Sequence, residues 1–317
     1  MWNNLKINRE IKLERNNILL KGIHFLLTYA CNYTCDHCFL YCNPNSKGTF
    51  TLAQIRKVLD EAKKIGTVEW IFFEGGEPFL YYPIMVEGLR LANELGFKTG
   101  LVSNSYWATS VEDAEIWLKP ISEIGISDFS ISNDTFHYDD EQLNLAKRAE
   151  KAAKNLDLPL FSICIEEPKV KIDKKYEKGE PVIGGGVKFR GRAVATLIEG
   201  LPRRSWEEMN ECPYEDLEDL GRVHIDSFGN VHICQGLSLG NMRQTPLSDL
   251  IKKYDANTHP ICGPLIRGGP AQLIKEYGVE HEDKYVDECH LCYHARIKLL
   301  DKFPQCLAPK QVYGLEE

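Results

Sequence analysis

The sequence predicts an α/β fold: a parallel sheet curled into an incomplete barrel with helices outside. Three observations predict it. Strand-like and helix-like runs alternate as βαβα from residue 22 to about residue 190. Glycine or polar punctuation follows each strand-like run, at the end where α/β sheets and barrels keep their chemistry. Five or six such units are too few for a closed eight-fold barrel.

Residues 1–21 form a polar lead-in, with a short strand expected at Asn17 to Lys21. Gly22–Ala30 is the first strand, and Thr51-Leu52-Ala53-Gln54 opens a helix with a capping-box pattern. Leu52, Ile55, Val58, Leu59, Ala62 and Ile65 then recur at helical spacing until Gly66 stops them. Val68–Glu74 is a strand ending in Gly75-Gly76-Glu77-Pro78, and a helix follows over Pro83–Leu95, closed by Gly96. The alternation continues with a strand at Thr99–Ser103, a helix at Ser110–Glu123 and a strand at Ile126–Ser132. A helix at Glu141–Leu156 and a strand at Leu158–Ile165 complete the regular part. Lys169–Glu180 reads as a lysine-rich loop or short helix, and Gly184-Gly185-Gly186 precedes a last strand, Val187–Arg190. Past residue 204 the character changes, and Arg222–Asp226 and Val231–Cys234 read as a β-hairpin across Ser227-Phe228-Gly229-Asn230. The expected organisation is a lead-in at 1–21, a barrel at 22–204, a cysteine-bearing unit at 205–300 and a tail at 301–317.

Composition excludes several classes. With 317 residues, 43% hydrophobic and 26% charged, the chain is an ordinary globular one. A net charge of −8 argues against a nucleic-acid binder held by phosphate neutralisation. The N-terminus has no apolar signal-type segment, and runs such as Ile23–Ala30 are too short to span a bilayer. A cytoplasmic protein without membrane partners is expected, where thiols stay reduced. Its 11 cysteines therefore point to metal rather than to disulfides.

Cys31, Cys35 and Cys38 stand at C-x3-C-x2-C spacing in a loop after the first strand. Three thiolates leave one iron of a four-iron cube without a protein ligand, and an open metal position is where a small ligand reacts. The alternative is a zinc knuckle completed by His37 or Cys42. The second cysteine set, Cys212, Cys234, Cys289 and Cys292, can converge as four ligands on structural zinc or on an iron–sulfur cluster.

The triplet after strand one and Gly75-Gly76-Glu77-Pro78 after strand two together resemble the radical S-adenosylmethionine (SAM) superfamily. The resemblance covers residues of about 20–200 and implies a partial (β/α)6 TIM barrel. It implies that Cys31, Cys35 and Cys38 hold a [4Fe–4S] cluster whose open iron is chelated by SAM. Reductive cleavage then yields a 5′-deoxyadenosyl radical that abstracts hydrogen from substrate. It implies that Gly75, Gly76 and Glu77 hold the methionine ammonium, and that His37 takes the place of an aromatic at adenine. Ser103, Asn104, Ser132 and Asp134 fall where ribose and carboxylate contacts are made, with helix caps or turns as the plain alternative.

Gly229 at G-x4-C spacing to Cys234, and Gly240-Asn241 after it, resemble the SPASM/twitch appendage of radical SAM enzymes. The shorter twitch form is the better match, because closely spaced third and fourth cysteines are missing after Cys292. It implies a second, auxiliary [4Fe–4S] cluster on Cys212, Cys234, Cys289 and Cys292, saturated by thiolates and suited to electron transfer. Cys262 and Cys306 either replace one of these ligands or are small core residues; Cys42 and Cys164 are expected to be structural.

His137 lies just past the fourth strand, where it would handle a substrate proton, and Arg192 would grip a substrate carboxylate or phosphate. The substrate expected is a small molecule that is dehydrogenated or rearranged, since only about 20 residues precede the first strand. Peptide or protein maturation is the rival reading, and a non-catalytic iron–sulfur or zinc carrier the rival from another class. A ferredoxin or flavodoxin is the expected reductant.

Overall fold

The computed structural model describes residues 19–138, 144–172 and 181–315. Its centre is one eight-stranded sheet. Strand β1 (Gly22–Thr28) pairs in parallel with β2 (Trp70–Gly75), and the parallel ladder continues through β3 (Lys98–Ser103), β4 (Asp128–Ser132) and β5 (Leu160–Ile163). Helices α1 (Leu52–Ile65), α2 (Tyr82–Glu94), α3 (Val111–Ile124) and α4 (Leu145–Asn155) connect these strands.

Local chemistry sets the helix ends. Thr51 caps α1 by accepting from the Gln54 amide while Gln54 reaches back to the Thr51 amide, and Gly66 ends it in the left-handed region at φ 77°. Ser110 caps α3, with Glu112 and Asp113 in the first turn against the positive helix end. Side chains alternate along each strand. Ile23, Phe25 and Leu27 of β1 and Ile71 and Phe73 of β2 are fully buried in the main core, which they share with residues of α1 such as Ile55 and Leu59. His24, Leu26 and Glu74 point the other way, into a cavity on the concave face.

Three expectations are corrected. Lys169–Glu180 is not a loop or helix throughout: Lys169–Ile172 is a strand, β6, paired antiparallel with β7 (Pro181–Gly184). Residues 173–180 lie outside the described residues, as do residues 1–18 and the start, 141–143, of the helix expected at Glu141. Val187–Arg190 is not a strand. Gly185 and Gly186, at φ 105° and 81°, turn the chain there, and Arg190 and Arg192 are buried among the cysteines. Leu19–Lys21, in the lead-in, is likewise not a strand.

After a one-turn helix α5 (Ala193–Thr196) and a short strand β8 (Arg204–Ser205), the expected hairpin forms from β9 (Arg222–Asp226) and β10 (Asn230–Cys234). β9 also pairs in parallel with β1, so the sheet runs β11-β10-β9-β1-β2-β3-β4-β5, with β11 at Leu237–Asn241. The sixth parallel strand therefore flanks β1 rather than β5. Helices α6 (Leu247–Lys253) and α7 (Cys262–Tyr277), strand β12 (Lys284–Tyr285) and helix α8 (Glu288–Leu299) complete the chain's main elements. Among the described residues no helix is long and apolar enough to cross a membrane.

Candidate active site

The carboxyl ends of β1 and β2 are joined backbone to backbone. The Gly76 amide donates to Thr28 O at 2.7 Å and the Glu77 amide to Ala30 O at 2.9 Å. A Cβ on Gly76 would lie 2.0 Å from Ala30 O, and Gly75 combines φ 128° with a Cβ position 2.6 Å from Thr28 O. Side chains are thus excluded where the turn meets the start of the cysteine loop.

Cys31, Cys35 and Cys38 line one cavity of about 410 Å³ together with Gly75, Gly76, Glu77, His37, Ser103, Asn104, Ser132, Asp134 and His137. Every residue assigned to the first cluster and to SAM from sequence is therefore brought to one place. Asn104 Nδ2 donates to Cys31 Sγ at 3.6 Å and to Asn32 Oδ1 at 2.9 Å. Burial pushes the Cys31 thiol up to about 12. The Cys42 side chain, hydrogen-bonded to Cys38, holds that thiol below its ordinary range.

Glu77 is fully buried and its carboxylate accepts from Ser103 Oγ at 2.9 Å, the Asn104 amide at 2.7 Å and the Phe79 amide at 3.0 Å. Burial outweighs these donors and raises its carboxyl to about 7. Ser103 is held in turn by Trp107 Nε1 at 3.0 Å. Asp134 accepts from His137 Nδ1 at 2.7 Å and from the Phe136 amide at 3.2 Å. Burial works to raise the Asp134 carboxyl, but the bond and charge of His137 bring it below its ordinary range. His37 leans on Phe136, with ring centroids 4.5 Å apart, and burial lowers it to about 4.

Arg192 does not face this cavity, contrary to the substrate-gripping role expected of it. Its guanidinium donates to Cys35 O at 2.7 Å and Cys42 O at 2.6 Å, and its amide to Cys38 O at 2.9 Å. The fork is used up on carbonyls of the cysteine loop, so Arg192 positions that loop.

Cys212, Cys234, Cys289 and Cys292 line a second, smaller cavity. Asp287 caps α8 by accepting from the His290 amide at 2.8 Å, which sets Cys289 and Cys292 one turn apart on its first turns. Burial raises the thiols of Cys212, Cys289 and Cys292, the last to about 12. Two buried guanidiniums face the set: Arg190 Nη1 donates to Cys234 Sγ at 2.8 Å, and Arg296 Nη1 lies 4.0 Å from the same sulfur. Cys262 and Cys306 sit in the hydrophobic core and do not line this cavity.

Sequence reasoning missed Arg190 and Arg296 at the second cysteine set, and it missed three polar residues on the concave face. His24, Glu74 and His224 come from β1, β2 and β9, with His224 Nε2 3.0 Å from Glu74 Oε1 and His24 Nδ1 3.4 Å from Glu74 Oε2. Their signal was the strand alternation itself, which turns them away from the core and toward the cavity.

Residues 25–158 match the family described as the Radical SAM superfamily. YydG of Bacillus subtilis (strain 168), named as a candidate peptide biosynthesis protein, is 23% identical over 264 residues, covering 83% of this chain and 75% of its own. An S-adenosylmethionine-dependent nucleotide dehydratase of Fibrobacter sp. (strain UWH6) is 26% identical over 247 residues, covering 76% of this chain and 69% of its own. Among solved structures, BtrN in complex with AdoMet and 2-DOIA aligns with a TM-score of 0.49 at 16% identity, over 74% of this chain and 83% of BtrN. With the match lying over the cysteine loop and the glycine–glutamate turn, residues 25–158 of the chain form a Radical SAM domain.

Proposed function

We propose that this enzyme takes a hydrogen atom from a small polar molecule, dehydrogenating or rearranging it, and uses a second [4Fe–4S] cluster for electron transfer. The observation that carries the reading is the single cavity shared by Cys31, Cys35, Cys38 and the Gly75-Gly76-Glu77 turn. When bound, SAM and the first cluster supply the hydrogen-abstracting 5′-deoxyadenosyl radical. The chain's own residues bind and orient. Cys31, Cys35 and Cys38 hold the cluster; Gly75, Gly76 and Glu77 meet the methionine ammonium; Ser103, Asn104, Ser132 and Asp134 meet the ribose and carboxylate; His37 lies at adenine. His137, anchored through Nδ1 to Asp134, presents its other ring nitrogen for a substrate proton.

The fit of the thiols favours iron–sulfur clusters over zinc at both sites. A single zinc ion at about 2.3 Å from each sulfur needs thiolates about 3.8 Å apart. Among the described residues, neither set of three donors within 4.8 Å of one another contains a cysteine. We assign the auxiliary cluster to Cys212, Cys234, Cys289 and Cys292 in a unit at 205–300, after a barrel at 22–204 and before a tail at 301–317. Arg190 and Arg296 offset the negative charge that four thiolates bring. A ferredoxin or flavodoxin would supply the electron.

The concave floor of His24, Glu74, Arg222 and His224 suits a small polar substrate. A peptide substrate is the second reading, favoured by the edge strand β5, where Phe161 is 54% exposed and Ile163 38%, and by the name of YydG. An exposed edge is able to take an extended peptide as an added strand.

The test is anaerobic reconstitution, iron and zinc analysis, and reduction in the presence of SAM. Release of 5′-deoxyadenosine supports the reading. Its absence from an iron-loaded, reduced sample overturns it. The triple Cys→Ala variant at Cys31, Cys35 and Cys38 should keep about one cluster; a variant that folds yet keeps no iron refutes the auxiliary assignment. Stimulation of 5′-deoxyadenosine release by polyols or nucleotides, against stimulation by peptides, decides between the two substrate readings.

A further inference from the structure

We propose that His24, Glu74 and His224 form a binding site for a divalent transition-metal ion of the zinc class on the floor of the barrel. No thiolate takes part in it, and it is distinct from both cysteine sets.

The sheet register builds the site. His24 and His224 are direct partners on the parallel strands β1 and β9, while Glu74 on β2 is opposite Leu26, two residues on from His24 and on the same face. The three donors lie within 4.8 Å of one another. Two atoms bound about 2.1 Å from one tetrahedral ion lie about 3.4 Å apart. Glu74 meets His224 Nε2 through Oε1 at 3.0 Å and His24 Nδ1 through Oε2 at 3.4 Å, each separation close to that edge, so its carboxylate spans the two imidazoles.

Hydrogen bonding leaves the cluster incomplete. His24 Nδ1, the atom 3.4 Å from Glu74 Oε2, is buried and makes no hydrogen bond among the described residues, and the side chain of His224, which faces Glu74 through Nε2, is only 6% exposed. Buried polar atoms of this kind call for a partner. Stacking of His24 on Phe72, with centroids 4.6 Å apart and planes 13° apart, fixes one imidazole. Two neutral imidazoles and a carboxylate form a donor set typical of zinc, and three protein ligands leave one position for water or a substrate oxygen.

That position has access from both sides. All three residues line the cavity shared with Cys31 and Glu77. On the other side a second cavity reaches His24, and Asp128, Glu215, Asp216 and Asp219 line it as an acidic approach for a cation. Lys21 and Arg222 also line that cavity, so its four carboxylates outnumber two cations.

The experiment uses the full chain with its cysteine sites filled by anaerobic iron–sulfur reconstitution. Zinc is then titrated in, unbound metal is removed, and iron and zinc are counted in the same sample. The expected result is about one zinc per chain with iron unchanged, and a zinc K-edge spectrum fitted by nitrogen and oxygen at about 2.0–2.1 Å with no sulfur at about 2.3 Å. Glu74→Gln keeps the side-chain shape and should weaken zinc by more than about 100-fold at constant iron content, a loss that even outer-shell changes approach. His224→Ala should do the same, and iron content with far-UV circular dichroism reports whether each variant folds. No zinc uptake by the iron-loaded wild type overturns the proposal. So does sulfur in the zinc shell, and so does unchanged affinity in folded Glu74→Gln.

Discussion

Arg190 Nη1 donates to Cys234 Sγ at 2.8 Å, and Arg190 also lines the cavity that holds Cys31 and Glu77. One buried guanidinium therefore touches the second cysteine set and the first cavity together. The same Nη1 lies 3.5 Å from Glu215 Oε1.

A cluster gains negative charge on reduction, so a cation beside it favours the reduced form. Arg190→Met should lower the potential of the proposed auxiliary cluster by on the order of 100 mV, from a unit charge a few ångströms away at an effective dielectric of about 20. Arg190→Lys, which keeps the charge but not the fork, should lower it less. An anaerobic redox titration followed by electron paramagnetic resonance measures both; equal potentials in wild type and Arg190→Met would exclude an electrostatic role.

Gly76 is the point where the Gly75-Gly76-Glu77 turn, proposed to meet SAM, is pinned to the cysteine loop, since a Cβ there would fall 2.0 Å from Ala30 O. The obstacle is backbone and has no rotamer to escape into. Gly76→Ala should cost about 1–3 kcal/mol or more of stability and weaken SAM binding. Thermal unfolding and equilibrium dialysis with labelled SAM measure the two effects. Gly66→Ala is the control: it carries the cost of a left-handed residue, which Gly76 does not, and meets nothing within 4 Å, so it should lose stability while SAM binding stays unchanged.

Glu77 gives a pH signature. Its carboxyl is raised to about 7 by burial, so the free site carries a proton below that pH. An ammonium against it favours the ionised form, and binding at lower pH must then expel the proton. SAM affinity should rise by up to about tenfold per unit as pH approaches 7 from below, and level off above it. Glu77→Gln should bind more weakly and lose this slope. Folding stability runs the other way. Between the unfolded value near 4.5 and about 7 the folded chain holds the extra proton, so the Glu77 contribution is present at low pH and is lost as pH rises through that window.

Local signals in the sequence located what local chemistry decides. The Thr51–Gln54 capping box and Gly66 bound α1 as read, and the turn after β2 and the cysteine loop after β1 meet where the motif spacing puts them. What escaped is decided at long range. Val187–Arg190 has extended-looking residues, but strand character requires a ladder partner and none pairs with it. The place beside β1 is taken instead by Arg222–Asp226, some 200 residues away in the chain, and no periodicity reports such a pairing. The same pairing brings His224 to His24, so that cluster was invisible until the sheet order was known. Arg192 looked like a ligand hand because an arginine ending a barrel unit faces the active-site end; its actual partners are two carbonyls of the cysteine loop.

Arg192 is accordingly expected to act on cluster loading rather than on substrate affinity. It donates to Cys35 O and Cys42 O from one side of the loop, and its ring-facing contact with Tyr41, 5.1 Å from the centroid, holds the fork in place. Arg192→Ala leaves the buried Cys42 carbonyl without its donor, which costs about 1–3 kcal/mol locally, and leaves Cys35 O with the Cys38 amide alone, which loosens the spacing of Cys35 and Cys38. The first site should then lose most of its iron, while the second, whose cavity Arg192 does not line, keeps its own. Iron analysis and Mössbauer spectroscopy of reconstituted Arg192→Ala and of the triple Cys31, Cys35, Cys38→Ala variant should give nearly the same residual cluster. Arg192→Lys, able to reach one carbonyl at a time, should load partially. A fully loaded Arg192→Ala with weakened substrate binding would return the residue to the substrate-gripping role.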